Sequence, residues 1–147
     1  MEFPFLFSPI KINQMELKNR IVMTAMHLHY DDDNDNGYIN DRLIDFYTKR
    51  AKGGVGMIIV GTCCIDRETS PQSMAIDNDQ YIPGLKRLAE SIQNNGARAA
   101  AQVAHMGGSA RSSIIGGRQT VSASAIQSKL TGETPRALEL GEIISMQ

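Results

Sequence analysis

Apolar residues change their spacing several times along this 147-residue chain, and each change marks an element. Phe5, Leu6 and Phe7 read as a packed plug. Ile10, Ile12, Met15 and Leu17 alternate with polar neighbours as in a short hairpin, and Arg20–Ala25 carries the Ile-Val-Met-Thr-Ala run of a strand. A polar loop follows, Tyr30-Asp-Asp-Asp-Asn-Asp-Asn-Gly37, with nothing in it to bury. Leu43, Ile44, Phe46, Tyr47 and Ala51 then recur at threes and fours. That spacing predicts an amphipathic helix over 41–52, capped by Asn40 or Asp41 and stopped by Gly53-Gly54. Val55–Thr62 is apolar on both faces, as in a parallel-sheet strand covered on each side. Residues 63–80 are polar and irregular. Leu85, Leu88, Ala89 and Ile92 form the stripe of a second helix over 82–95, with Pro83 tolerated near its start and Asn95-Gly96 at its end. Ala97–Gln102 reads as a third buried strand, of small residues. A long Gly/Ser-rich stretch, 107–134, has no period, and Glu139–Gln147 reads as the first turns of another helix.

Strands alternating with helices imply right-handed βαβ units and a parallel sheet. Two α/β architectures fit: a doubly wound sheet, or the opening of a (β/α)8 barrel. A whole barrel needs roughly 250 residues, so the chain holds less than half of one. No repeat or linker divides it, and 1–147 reads as a single partial domain.

Composition narrows the function classes. Hydrophobic residues make up 41% and charged residues 21%, as in a soluble globular chain. Lysine plus arginine total 15 against 16 acidic residues, so nothing suggests nucleic acid or an anionic membrane as partner. No apolar run approaches the roughly 18 residues of a membrane span. Pro4 and Pro9 interrupt the aromatic start, and no export signal is visible; a cytoplasmic location is the default expectation. Cys63 and Cys64 are adjacent, which rarely permits a disulfide. They read as buried or loop thiols rather than nucleophiles.

Several motifs promise more than they hold. Gly53-Gly54-Val55-Gly56 follows a helix and precedes a strand, the reverse of a dinucleotide fingerprint, and there is no P-loop. Asp32-x-Asn34-x-Asn36-Gly37 copies the first half of a calcium loop, but Leu43 stands where a bidentate glutamate is needed. His27 and His29 could offer two metal ligands from one face, with no further ligand at recognisable spacing. Their position is the informative part. In barrels, sites are built at the C-terminal ends of strands. There the chain places Thr24-Ala-Met-His27, Gly61-Thr62 and Gln102-x-x-His105. Hydroxyl, amide and imidazole groups in one mouth suit a planar, neutral heterocycle. The alternative is that each group satisfies local backbone, and the pattern alone does not separate the two.

An ordered set of motifs carries a family resemblance. Leu6-Phe-Ser-Pro-Ile10, Leu17-Lys-Asn-Arg-Ile-Val-Met23, Phe46-Tyr-x-x-Arg-Ala-Lys-Gly-Gly-Val-Gly56 and Ile82-Pro-Gly-Leu85 come first. Asn95-Gly-Ala97, Gln102-Val-Ala-His-Met-Gly107, Ser122-Ala-Ser-Ala-Ile126 and Pro135-Arg-x-Leu138 ahead of Glu142-Ile follow in order. Nearly the whole chain resembles the Old Yellow Enzyme family of NADH:flavin oxidoreductases, nearest to its 2,4-dienoyl-CoA reductase and bile-acid-type members. The resemblance implies the N-terminal part of a (β/α)8 TIM barrel that holds FMN at the C-terminal ends of its strands. It implies hydride transfer from NADH or NADPH through FMN to an enone or enoyl substrate, with a 4Fe-4S cluster and FAD in longer relatives. It assigns Thr24, Ala25, Met26 and His27 to the flavin ring, Gly61 and Thr62 to its edge, and Gln102 to its pyrimidine end. Ala25 stands where the family often has proline. Gly108 stands where it usually has arginine, and Arg111 is the candidate to supply that charge. The catalytic proton donor, the substrate-binding His/Asn pair and the phosphate partners are expected beyond residue 147. The alternative is a non-catalytic truncated or split-gene fragment, and partners to consider are a second copy or a complementing barrel fragment.

Overall fold

A computed structural model describes residues 2–30, 36–71 and 73–146. The aspartates and Asn34 of the half calcium loop lie outside these residues, and only Asn36 and Gly37, both with positive φ, lie within. The hairpin forms as its alternation predicts: β1 (Ile10–Ile12) and β2 (Met15–Leu17) pair antiparallel around Asn13. The core is a parallel sheet with β4 (Met57–Cys64) at its centre, flanked by β3 (Val22–Met23) and β6 (Arg98–Ala104). β5 (Met74–Ala75) pairs with the far end of β4. Beyond β6, β7 (Val121–Ser122) and β8 (Arg136–Ala137) make a small separate pair.

Two helices cover one side of the sheet. α1 (Asp41–Lys52) begins where Asn40 Oδ1 accepts from the Leu43 N–H at 2.8 Å. Lys49, Arg50 and Lys52 sit in its last turn, where cations complement the helix dipole. Gly54, at φ +100°, provides the left-handed exit. α2 (Ile82–Gln93) carries Pro83 in its first turn. The stripes of both helices, Leu43, Tyr47 and Ala51 with Leu88 and Ile92, close over Ile58 and Val60 of β4. An Arg87–Asp41 ion pair of 2.6 Å links the two helices at the surface, where such pairs contribute little. α3 (Leu140–Ser145) starts as Glu142 accepts from the Glu139 N–H and from Arg136. Arg136, then the Glu139 N–H, holds the Glu142 carboxyl down to about 2, so this lock stays charged at any ordinary pH. Among the described residues no helix is long and apolar enough to cross a membrane.

Four sequence expectations need correction. The first strand was expected over 20–25, but the ladder is two residues long. Asn19 captures the flanking backbone instead, accepting from Ile21 N–H and donating to Gly54 O. The Phe5-Leu6-Phe7 plug is not packed; Phe5 is 82% exposed. The third strand is not buried either: among the described residues β6 pairs on one side only, its alanines cover little, and Val103 is 61% exposed. Finally, 63–80 is not featureless. The end of β4, β5 and a 3-10 turn at Asp79–Tyr81 run through it, because Cys63 and Cys64 continue the parallel pairing.

Truncating the centre of this core should be costly. Ile58→Ala is expected to lower unfolding free energy by about 2–5 kcal/mol, whereas Phe5→Ala should stay within about 0.5 kcal/mol. Urea unfolding midpoints of the two variants check the contrast.

Candidate functional site

The three parallel strands run the same way, so their C-terminal ends share one edge. Val22, Met57 and Arg98 stand level, as do Met23, Ile58 and Ala99. Since Met23, Ile58, Val60 and Ala99 belong to the helix-side core, the alternation of a strand sends Gly61 and Gln102 to the opposite face. The ladder breaks register between Val60 and Cys63, a local irregularity centred on Gly61 and Thr62. Such breaks re-aim side chains at strand ends.

Gly61 is the meeting point. A Cβ placed there would lie 2.8 Å from Ala25 Cβ, 3.1 Å from Gln102 Cβ and 3.2 Å from Gln102 Oε1. Three expected site residues, one from each strand end, therefore converge on a position with room for hydrogen only. Gln102 is exposed, and Thr62 is half-buried beside Gly61. Thr24 and Met26 lie exposed on the segment leaving β3, at the same edge but without a contact that ties them to Gly61. His27 is half-buried; its ring stacks on His29 with centroids 4.0 Å apart. Among the described residues no three His, Cys, Asp or Glu side chains cluster as metal ligands.

His27 faces a different wall. It lines an open pocket of about 100 Å3 with Ser70, Pro71, Met106, Ser109 and Arg111. Two loops are stitched together to form it. Ile65 N–H donates to Ala104 O at 3.2 Å, and Met106 N–H to Ser70 Oγ at 3.3 Å. His105 Nδ1 accepts from Gly107 N–H, while its Nε2 stands 3.8 Å from Asp66 Oδ2. The sequence pattern singled out His27, and the family resemblance Arg111, but neither pointed to Ser70 or Asp66. They sit in the loop that follows a C-terminal strand end, where a barrel builds its sites.

The cysteine pair is buried and its sulfurs are unbridged. Burial, reinforced by Asp77, pushes the Cys64 thiol up to about 11. That suits a packed side chain rather than a nucleophile, which needs a lowered value. In a Cys63→Ser background, native-state labelling of Cys64 should be slow at pH 8 and rise steeply only towards pH 11. Labelling rates across pH, native against unfolded, check this. The unfolded thiol ionises first, so between its ordinary value of 9 and about 11 Cys64 contributes a fall in stability with rising pH.

Comparison with known proteins fits this architecture. The profile of the NADH:flavin oxidoreductase / NADH oxidase family matches residues 5–144. A metal reductase of Desulforamulus reducens is 46% identical over 144 residues, covering 95% of this chain and 21% of the relative. An NADH oxidase of Thermoanaerobacter brockii is 35% identical, covering 96% and 22%. Among solved structures, morphinone reductase in complex with tetrahydroNAD superposes with TM-score 0.85 at 25% identity, over 97% of this chain and 43% of that one. The Old Yellow Enzyme homologue of Zymomonas mobilis gives 0.80 at 27% identity, over 97% and 42%. The chain thus spans about a fifth of the length of the first two relatives, and its open parallel sheet is part of the barrel fold of the solved neighbours. With a family profile matching nearly end to end, the chain belongs to the NADH:flavin oxidoreductase family, whose solved members include the Old Yellow Enzyme homologues.

Proposed function

We propose that this chain supplies the ring-facing part of an FMN site in an NADH- or NADPH-dependent oxidoreductase that reduces activated alkenes. The observation that carries this is the convergence of Ala25, Gly61 and Gln102 across three strand ends, with no side chain at position 61. Such a floor admits a planar ring, and the groups around it are uncharged donors and acceptors. That donor set fits the neutral heterocycle end of FMN rather than its phosphate.

In this reading Thr24, Ala25 and Met26 line one side of the ring, with His27 at its border with the neighbouring pocket, and Gly61 and Thr62 form its edge. Gln102 offers an amide that both donates and accepts at the pyrimidine end. Bound FMN supplies hydride transfer between a nicotinamide and the alkene. The chain's residues hold and orient the ring, keep water from one face, and place hydrogen-bond donors where the reduced ring carries negative charge. The relatives support such chemistry by name: one is an NADPH dehydrogenase of Listeria monocytogenes, another an NADH:fumarate oxidoreductase of Klebsiella pneumoniae. A 2-naphthoyl-CoA reductase is among the similar structures, in keeping with an enoyl or enone substrate. A cytoplasmic location belongs to the same proposal.

Gln102→Leu, made in the polypeptide carrying the complete barrel, should weaken FMN binding by 10- to 100-fold, since one hydrogen bond to the ring contributes about 1–3 kcal/mol. Wild-type occupancy and kinetics in that variant would remove Gln102 from the site. Residues 1–147 alone should bind FMN weakly and self-associate, or pair with a complementing barrel fragment. β6 has one ladder partner, and Val22 and Val103 on the sheet are exposed. Titration calorimetry with FMN, beside light scattering, tests this. Tight, stoichiometric binding by a monomer overturns it.

A further inference from the structure

We propose that the pocket beside His27 is an anion site in which Arg111 recognises a carboxylate or phosphate group of a molecule reacting there. The inference rests on the oxidoreductase reading for the reaction, but not for the site itself.

The pocket's position comes first. Its walls come from the exits of three neighbouring strands: His27 after β3, Ser70 after β4, and Met106, Ser109 and Arg111 after β6. At about 100 Å3 it has room for a single small group, such as a carboxylate or phosphate, rather than a whole molecule. It shares His27 with the segment that runs to Ala25 and the Gly61 floor.

Its charge comes second. No aspartate or glutamate lines it, and Arg111 is its one permanently charged side chain. Three arginines elsewhere are paired with carboxylates, Arg87 with Asp41, Arg118 with Glu68 and Arg136 with Glu142, and none of the three lines the pocket. Arg111 has no such partner among the described residues. Its one hydrogen bond there runs from Nη2 to Leu130 O at 3.5 Å, the outer limit of such a bond. Arg111 is exposed beside the buried Ala110, with most of its donors unused, and its planar fork can take a carboxylate or phosphate side-on.

Hydroxyl donors complete the site. Ser70 is only 3% exposed, and its oxygen already accepts from the Met106 N–H. Its own hydrogen is therefore turned away from that bond and can be given to a ligand. The loop carrying Arg111 is held by local bonds: Ala110 N–H to Gly107 O, Ile114 N–H to Arg111 O, and Ser112 N–H to the Glu133 carboxylate. Gly108 leaves its own place empty of side chain. A Cβ there would come within 3.3 Å of Pro135 Cγ, and the cation lining the pocket is Arg111.

The ligand's anion has two sources, a carboxylate on the alkene or a phosphate of the nicotinamide dinucleotide, and one set of measurements separates them. In the FMN-loaded complete barrel, Arg111→Gln and Arg111→Lys are compared with wild type on crotonate, methyl crotonate and NADH. For a substrate carboxylate, Arg111→Gln raises KM for crotonate at least tenfold, with lysine restoring part, while methyl crotonate and NADH are unchanged. For a dinucleotide phosphate, KM for NADH rises instead, equally with either alkene. Three unchanged KM values overturn the anion site. If wild type reduces neither alkene, the oxidoreductase reading falls, and the site is decided by calorimetric titration of crotonate and inorganic phosphate. Binding by wild type that Arg111→Gln loses supports it; no binding, or equal binding, overturns it.

Discussion

The structure depends on the burial of β4 between two parallel neighbours. Ile58 is wholly buried under α1 and α2, and Val60 nearly so, which pins the strand's register. A one-residue slip would turn both into the opposite face. With register fixed, β3 and β6 have no freedom in where they end, and the residues leaving them arrive at one edge. The core of the sheet and the geometry of the candidate site are thus two faces of a single strand.

The opposite face of β4 is spare where the helix side is full. At Gly61 the neighbouring strands come so close that only hydrogen fits between Ala25 and Gln102. Small residues matter here for space rather than flexibility. Beyond this floor, irregular chain takes over, and hydrogen bonds replace apolar burial as the organising force. Met106 to Ser70 and Ile65 to Ala104 tie one strand exit to the next, so the pocket wall is set by directional bonds between loops. His105, between Asp66 and the Gly107 amide, belongs to the same seam.

The charges are divided in a way that matches these roles. Arg87, Arg118 and Arg136 are neutralised locally. The Arg136–Glu142 pair sets the start of α3 by joining a carboxylate to both a guanidinium and the first helical turn's backbone. Arg111 stands apart, on a partly apolar wall at the edge of the site. Thiol chemistry is suppressed by the same burial that stabilises the sheet, since Cys63 and Cys64 lie on the continuation of β4.

The amino-acid sequence by itself determined the elements with a strong period and their order. α1 spans the 41–52 that its apolar spacing predicts, and Asn40, one of the two candidate caps, starts it, because helix stripes and caps are local physics that needs no partner. The strand-end residues Thr24, Ala25, Met26, His27, Gly61, Thr62 and Gln102 were legible as a group, since parallel strands place their C-terminal ends together. Only the tertiary structure decided how they divide. Ala25 and Gln102 crowd the place where a side chain of Gly61 would stand, whereas His27 turns to a pocket with Ser70 and Arg111. It also decided that β3 is two residues long, that β6 is exposed, and that the phenylalanines near the N-terminus are uncovered. Burial depends on what lies across the gap. A run of alanines reads the same in sequence whether a neighbouring strand covers it or not, and a loop's hydroxyls show no period until the strands have brought two loops side by side.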